Sequence, residues 1–173
     1  MRSRLRFMGH PLHVMLVDVP IGALLLLVLF DLLYLGLDHE FLWRSGFYVA
    51  VIGLIGGAAA IGAGLFDYFA LERGTKAKRV ANWHLLGGLV LAVVFLTTLA
   101  LRWPVNSGPA NVVGTTVVDV VGAGVLLVQG WTGAHLIYQH HVGVRDREEG
   151  GEPVRTEKPP AATPERGRRE RPA

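Results

Sequence analysis

Apolar residues in this chain come in long blocks rather than at the spacing of a half-buried helix or strand. Four blocks, residues 19–37, 47–71, 83–101 and 112–138, are each of a length to cross a bilayer, which takes about 20 residues at 1.5 Å rise. The pattern predicts an all-α membrane protein, an antiparallel four-transmembrane-helix bundle. Arg2, Arg4 and Arg6 resemble the start of a signal peptide. The apolar run behind them is too long, however, and no small-residue cleavage site follows, so the first block is expected to stay as a helix.

Polar residues crowd the entry to that block. Residues 9–22 read GHPLHVMLVDVPIG. Pro11 suits a first helical turn, where a missing N–H costs nothing, and Pro20 removes one helical hydrogen bond. Either one helix kinks at Pro20, or a short interfacial helix over residues 11–17 precedes a spanning helix capped by Asp18. Residues 19–37 alone reach about 28 Å. The second reading is therefore preferred, and the HPLH segment need not enter the hydrocarbon.

Composition agrees with the pattern. With 173 residues, 51% of them hydrophobic, and a mean hydropathy of +0.38, the chain is too apolar for an ordinary soluble domain. It has no cysteine, which excludes disulfides, thiolate zinc sites, iron–sulfur clusters and thiol nucleophiles within it. The net charge of +3 does not mark a nucleic-acid binder, because the charges sit beside the membrane. Of the seventeen Lys and Arg, all but Arg44 and Arg102 fall on one side of the spans. The positive-inside rule makes that side cytoplasmic and puts both termini there. After Gly143 the chain turns to VRDREEGGEPVRTEKPPAATPERGRRERPA, which has too little apolar surface to offset the entropy of ordering. Residues 1–143 are thus expected to form the membrane domain and residues 144–173 a disordered cytoplasmic tail.

Small residues recur at four-residue spacing in the second span, as Gly53 and Gly57 and as Gly56, Ala60 and Gly64, and Gly122, Gly130, Gly133 and Ala134 mark the fourth. Such stripes let helix backbones approach in lipid; the competing reading is that they make room for a planar cofactor. Measured along the helices at 1.5 Å per residue, His10, His13, Asp18, Asp67, Asn82, His84 and His135 all fall within about 10 Å of the cytoplasmic face. Asp31 and Asp119 form a second pair near the outer face. Each needs a partner or a proton, since a charge in lipid costs several kcal/mol.

GHPLHVMLVDVPIG, followed by GLFDYFALERGTKAKRVANWHLLGG, resembles the bacterial membrane proteins grouped as domain of unknown function 2231. Members open with an HPLHP-like motif and Pro-Ile-Gly, and later carry an Asp on the second helix and a His opening the third. The matching positions are His10, Pro11, His13, Pro20, Asp67 and His84. Val14 replaces the second proline of HPLHP, and Asp18 stands where many relatives have another histidine. The resemblance implies a bacterial cytoplasmic (inner) membrane. Because some relatives are joined to Rieske-type domains, it also implies redox or iron–sulfur protein company.

Two functions compete. In the first, haem b or another histidine-ligated metal binds at the cytoplasmic end and serves membrane-associated electron transfer. Imidazole suits haem iron, copper and zinc, and bundle cores build such sites from facing helices. His13 and His84, or His10 and His84, are the candidate axial ligands, Asp18 and Asp67 stand beside them, His135 is a spare, and Arg6 and Arg79 would meet propionates. In the second, the chain is a structural or partner-binding membrane subunit without cofactor, whose His and Asp cap helices at headgroup level. A hydrolase is weaker, with no Ser-His-Asp or HExxH arrangement. So is a transporter, with no helix obviously broken in its middle. Reporter fusions after Asn106 and after Gly143 test the topology: the first is expected to report the outside and the second the cytoplasm, and the reverse would overturn the charge argument.

Overall fold

The structure, a computed structural model, describes residue 3, residues 5–106, residues 108–140 and residue 142. Arg2, Arg4 and the expected tail lie outside the described residues. A two-residue antiparallel hairpin, β1 (Arg6–Phe7) and β2 (His10–Pro11), turns through Met8 and Gly9, both at positive φ. Then come α1 (Leu12–Leu16), α2 (Asp18–Leu37), α3 (Glu40–Ala70), α4 (Lys76–Leu101) and α5 (Val112–His140). Among the described residues four stretches are long and apolar enough to span a membrane, Leu12–Leu37 and the three helices after it. Each helix packs on its neighbour in sequence and α5 returns to α2, which closes an up-down-up-down ring.

The helices overrun the apolar blocks. α3 starts seven residues before residue 47 and α4 seven before residue 83, because turns outside the hydrocarbon need caps and not apolar residues. His39 accepts a hydrogen bond from the Phe41 N–H at 3.3 Å, and Glu40 pairs with Arg44 one turn on at 2.6 Å. At the other end Thr75 caps α4 by accepting from the Lys78 N–H at 3.2 Å. His84 therefore does not open its helix, as its position in the apolar pattern implied, but lies in its third turn. The cap expected of Asp18 is absent too. Val17, with helical φ and ψ, precedes α2; Asp18 is the first helical residue, and no side-chain cap bond forms. The chain stays nearly helical across the α1–α2 junction, where Pro20 offers no N–H to the Leu16 carbonyl. At its far end α2 stops on Asp38 in the left-handed region, with its N–H bonded to the Tyr34 carbonyl at 2.8 Å.

Leu24, Leu27, Ala50, Val94 and Phe95 form the packed core, and large apolar residues such as Leu25, Ile55, Val93 and Leu127 face outward. Apolar burial does not drive association between helices in lipid, so close packing does. The small residues split between two uses. Gly53 receives the Phe95 ring and the Ala23 methyl, Gly56 receives Val19, and Gly122 receives Val94. At Gly57 the nearest atom to an added Cβ is Pro20 Cβ, at 3.7 Å, and at Gly130 nothing lies within 4 Å; both border a cavity. Gly53→Ala, which drives a methyl into Phe95, should cost about 1–3 kcal/mol, the usual range for overpacking. Gly62→Ala, where nothing lies within 4 Å, should cost nothing measurable. Unfolding of both proteins in detergent checks the contrast, and equal stability would mean that α3 and α4 do not pack this way.

Candidate functional site: two polar centres at opposite ends of the bundle

The first centre lies toward the end of the bundle where α3 finishes and α4 begins. His13, on α1, puts Nδ1 2.7 Å from the Ala60 carbonyl oxygen, ten residues before the end of α3 and so about 15 Å inside it. That carbonyl is reachable because residue 64, on the next turn, is a glycine: a Cβ there would stand 2.9 Å from His13 Nδ1. His84 puts its Nδ1 3.0 Å from Thr132 Oγ1 on α5, and Gly133 makes the room, a Cβ there meeting His84 Cε1 at 3.0 Å. Thr132 Oγ1 donates to the Gln129 carbonyl at 3.0 Å, so its lone pairs face the ring and His84 Nδ1 donates. Gln129 Nε2 in turn donates to the His84 carbonyl at 2.7 Å.

The two imidazoles meet edge to face, with centroids 6.1 Å apart and planes at 84°. With each Nδ1 engaged, Nε2 is the free position on each ring, and neither Nε2 has a hydrogen bond among the described residues. A cavity of about 470 Å³ opens beside them, lined by both histidines, Asp67, Tyr68 and Gln129 and otherwise by apolar and small residues reaching up to Leu24 and Phe95. Asp67 accepts from Ser3 Oγ at 2.8 Å, which draws the N-terminal segment over this end. Imidazoles held by a carbonyl or hydroxyl at the other nitrogen are oriented and more basic, the usual condition of metal-bound histidine.

His13, Asp67 and His84 thus share one cavity. His10 is exposed on β2, and Asp18 is exposed at the start of α2. His135 stacks on Trp131 at 5.5 Å and meets His140 at 5.4 Å, away from the cavity lining. Asn82 accepts from the Tyr68 hydroxyl at 2.9 Å. Tyr68 and Gln129 join the site without having been expected.

The second centre is at the opposite end. Arg102, assigned by charge to the outer connection, is not a loop residue facing water: it caps the C-terminus of α4 with its side chain fully buried. Its guanidinium pairs through Nη2 with Asp31 and, at 3.3 Å, with Asp119; Nη1 donates to the Trp43 carbonyl at 3.2 Å. The guanidinium lies 4.4 Å above the Trp43 ring, in space that a Cβ at Gly46 would take. Thr98 donates to Asp119. The partner that Asp31 and Asp119 require is thus an arginine from α4.

Four apolar helices around one buried and one half-buried polar centre define a multi-pass membrane protein. The chain belongs to the family described as "Predicted membrane protein (DUF2231)", whose model matches residues 9–146. No curated protein and no solved structure matches it. Arginine keeps its charge in proteins, so Asp31→Asn with Asp119→Asn strands a buried cation. The double variant should lose about 3–5 kcal/mol, as broken buried pairs do. Each single variant leaves Arg102 one carboxylate and should lose much less; denaturation in micelles gives the three values.

Proposed function

We propose that this domain is a cofactor-binding module of a bacterial cytoplasmic membrane, holding haem b between His13 and His84 for electron transfer with a redox partner protein. The observation that carries the reading is the pair of neighbouring imidazoles, edge to face, whose Nδ1 atoms are already held. Two imidazoles that shared one metal, each through a nitrogen about 2.0–2.1 Å from it, would have centroids roughly 6 Å apart, and these rings are 6.1 Å apart. Donor number favours haem over a bare ion. Among the described residues no group of three or more His, Cys, Asp or Glu could hold a metal, whereas zinc sites need three or four protein ligands and a porphyrin brings four nitrogens of its own. The size and apolar lining of the cavity suit a macrocycle, and the glycines at 57 and 130 keep it open. When bound, the haem would supply one-electron redox chemistry. His13 and His84 would ligate it, and Ala60, Thr132 and Gln129 would set the ring orientations. His10, Asp18 and His135 have no part in this reading, and Asp67 is assigned to anchoring Ser3 beside the site.

The charge distribution supports a cytoplasmic position for the histidine end and for both termini, with residues 144–173 as a polar tail. Protein purified in detergent after growth with ample haem precursor should show a Soret band. His84→Ala and His13→Ala should abolish it, His10→Ala and His135→Ala should not, and Thr132→Val should shift the reduction potential. A wild-type protein folded as a helical bundle but without a Soret band would leave the reading of a structural or partner-binding subunit in its place.

A further inference from the structure

We infer that the Arg102 cluster is a proton-binding site, in which Asp31 and Asp119 together hold one proton at neutral pH. This rests on geometry at the end of the bundle away from the histidines and is independent of any cofactor there. The charged groups facing the cluster come from three helices: Asp31 from α2, Arg102 from α4 and Asp119 from α5. α3 contributes the Trp43 ring and carbonyl, and Tyr34 on α2 stands behind Trp43 at 5.9 Å. Among the described residues no second cation pairs with either carboxylate.

Two carboxylates against one guanidinium leave a net negative charge where the side chains have 0–1% exposure. A charge so enclosed costs several kcal/mol unless it is balanced. Either one proton or one monovalent cation restores neutrality, and the unpartnered atoms decide between them. Asp31 Oδ2, Arg102 Nε and Trp43 Nε1 are buried with no hydrogen-bond partner. Two of the three are N–H donors and offer a cation no oxygen ligand. Hard cations take six or more oxygens, and here the one hydroxyl at hand, on Thr98, is turned to donate to Asp119. Both oxygens of Asp119 already accept, one from Thr98 and one from Arg102. One proton on the pair leaves a single negative charge against the single positive charge of Arg102. Because the two acids are coupled through one guanidinium, the proton belongs to the pair. It arrives from and leaves to solvent, with no other bond made or broken.

The test is infrared spectroscopy of the full chain reconstituted in lipid at neutral pH, with aspartate carrying carbon-13 at the side-chain carboxyl so that the acid band separates from lipid ester. Wild-type protein should show one protonated aspartic acid per chain. Asp31→Asn and Asp119→Asn should each remove it, because each leaves a single carboxylate to balance Arg102. An unprotonated wild type would overturn the inference without recourse to any variant. So would an acid band that survives in both substituted proteins, since it would then come from a carboxyl elsewhere in the chain.

Discussion

A guanidinium shut away from both water and lipid holds one end of this bundle together. Arg102 reaches α2 through Asp31, α3 through the Trp43 carbonyl and ring, and α5 through Asp119, from its own place at the end of α4. In hydrocarbon a buried cation cannot fall back on solvent when a helix slides, so these contacts fix the relative depth of four helices more firmly than apolar packing would. The consequence reaches the other end. Asp31 follows His13 by eighteen residues, and Arg102 follows His84 by the same number. α2 and α4 run in the same direction, so pairing Asp31 with Arg102 brings the two histidines to one level, about 27 Å away at 1.5 Å per residue. α3 has the matching span: Ala60, which accepts from His13, lies seventeen residues after Trp43, which accepts from Arg102.

That spacing could be read in the chain, as could the four spans, the layer containing His13, Asp67 and His84, and the need of Asp31 and Asp119 for a partner. Arg102 was harder to read, since a charge at the end of an apolar block counts as a loop residue by type alone. The telling signal was the two acids inside spans with no cation among them and Arg102 immediately adjacent. Helix ends were obscure because His39 and Thr75 start α3 and α4 seven residues before the apolar blocks, where apolar patterning carries no information. Rotation was obscure as well. Depth along a helix says nothing about which way a side chain points at 100° per residue, so His10, Asp18 and His135 could not be told from the residues that line the cavity.

The supports of the histidines were the least legible part. A helical carbonyl is normally hidden beneath the side chain four residues on. Ala60 can accept a second hydrogen bond because residue 64 has none, just as Gly133 admits His84 beside Thr132. The small-residue stripe therefore carries two messages in one pattern. Gly53, Gly56 and Gly122 bring helices together, whereas Gly57, Gly64, Gly130 and Gly133 open a cavity and place imidazoles on its wall. Residue type and spacing are the same in both uses; only the partner across the gap differs, and that partner lies on another helix.

The two polar centres are joined by structure and not by a polar path. Between them lie Leu24, Leu27, Val94 and Phe95, packed with little or no exposure, and Phe95 fills the gap that Gly53 leaves. A proton needs donors and acceptors at hydrogen-bond distance, and an apolar plug of this kind supplies none. With that layer between them, the proton inferred at the arginine end is expected to exchange with the membrane surface nearest to it, and protons at the histidines with the opposite one. The register set by Arg102 makes the pocket possible, and the leucine and phenylalanine core keeps the two ends chemically separate.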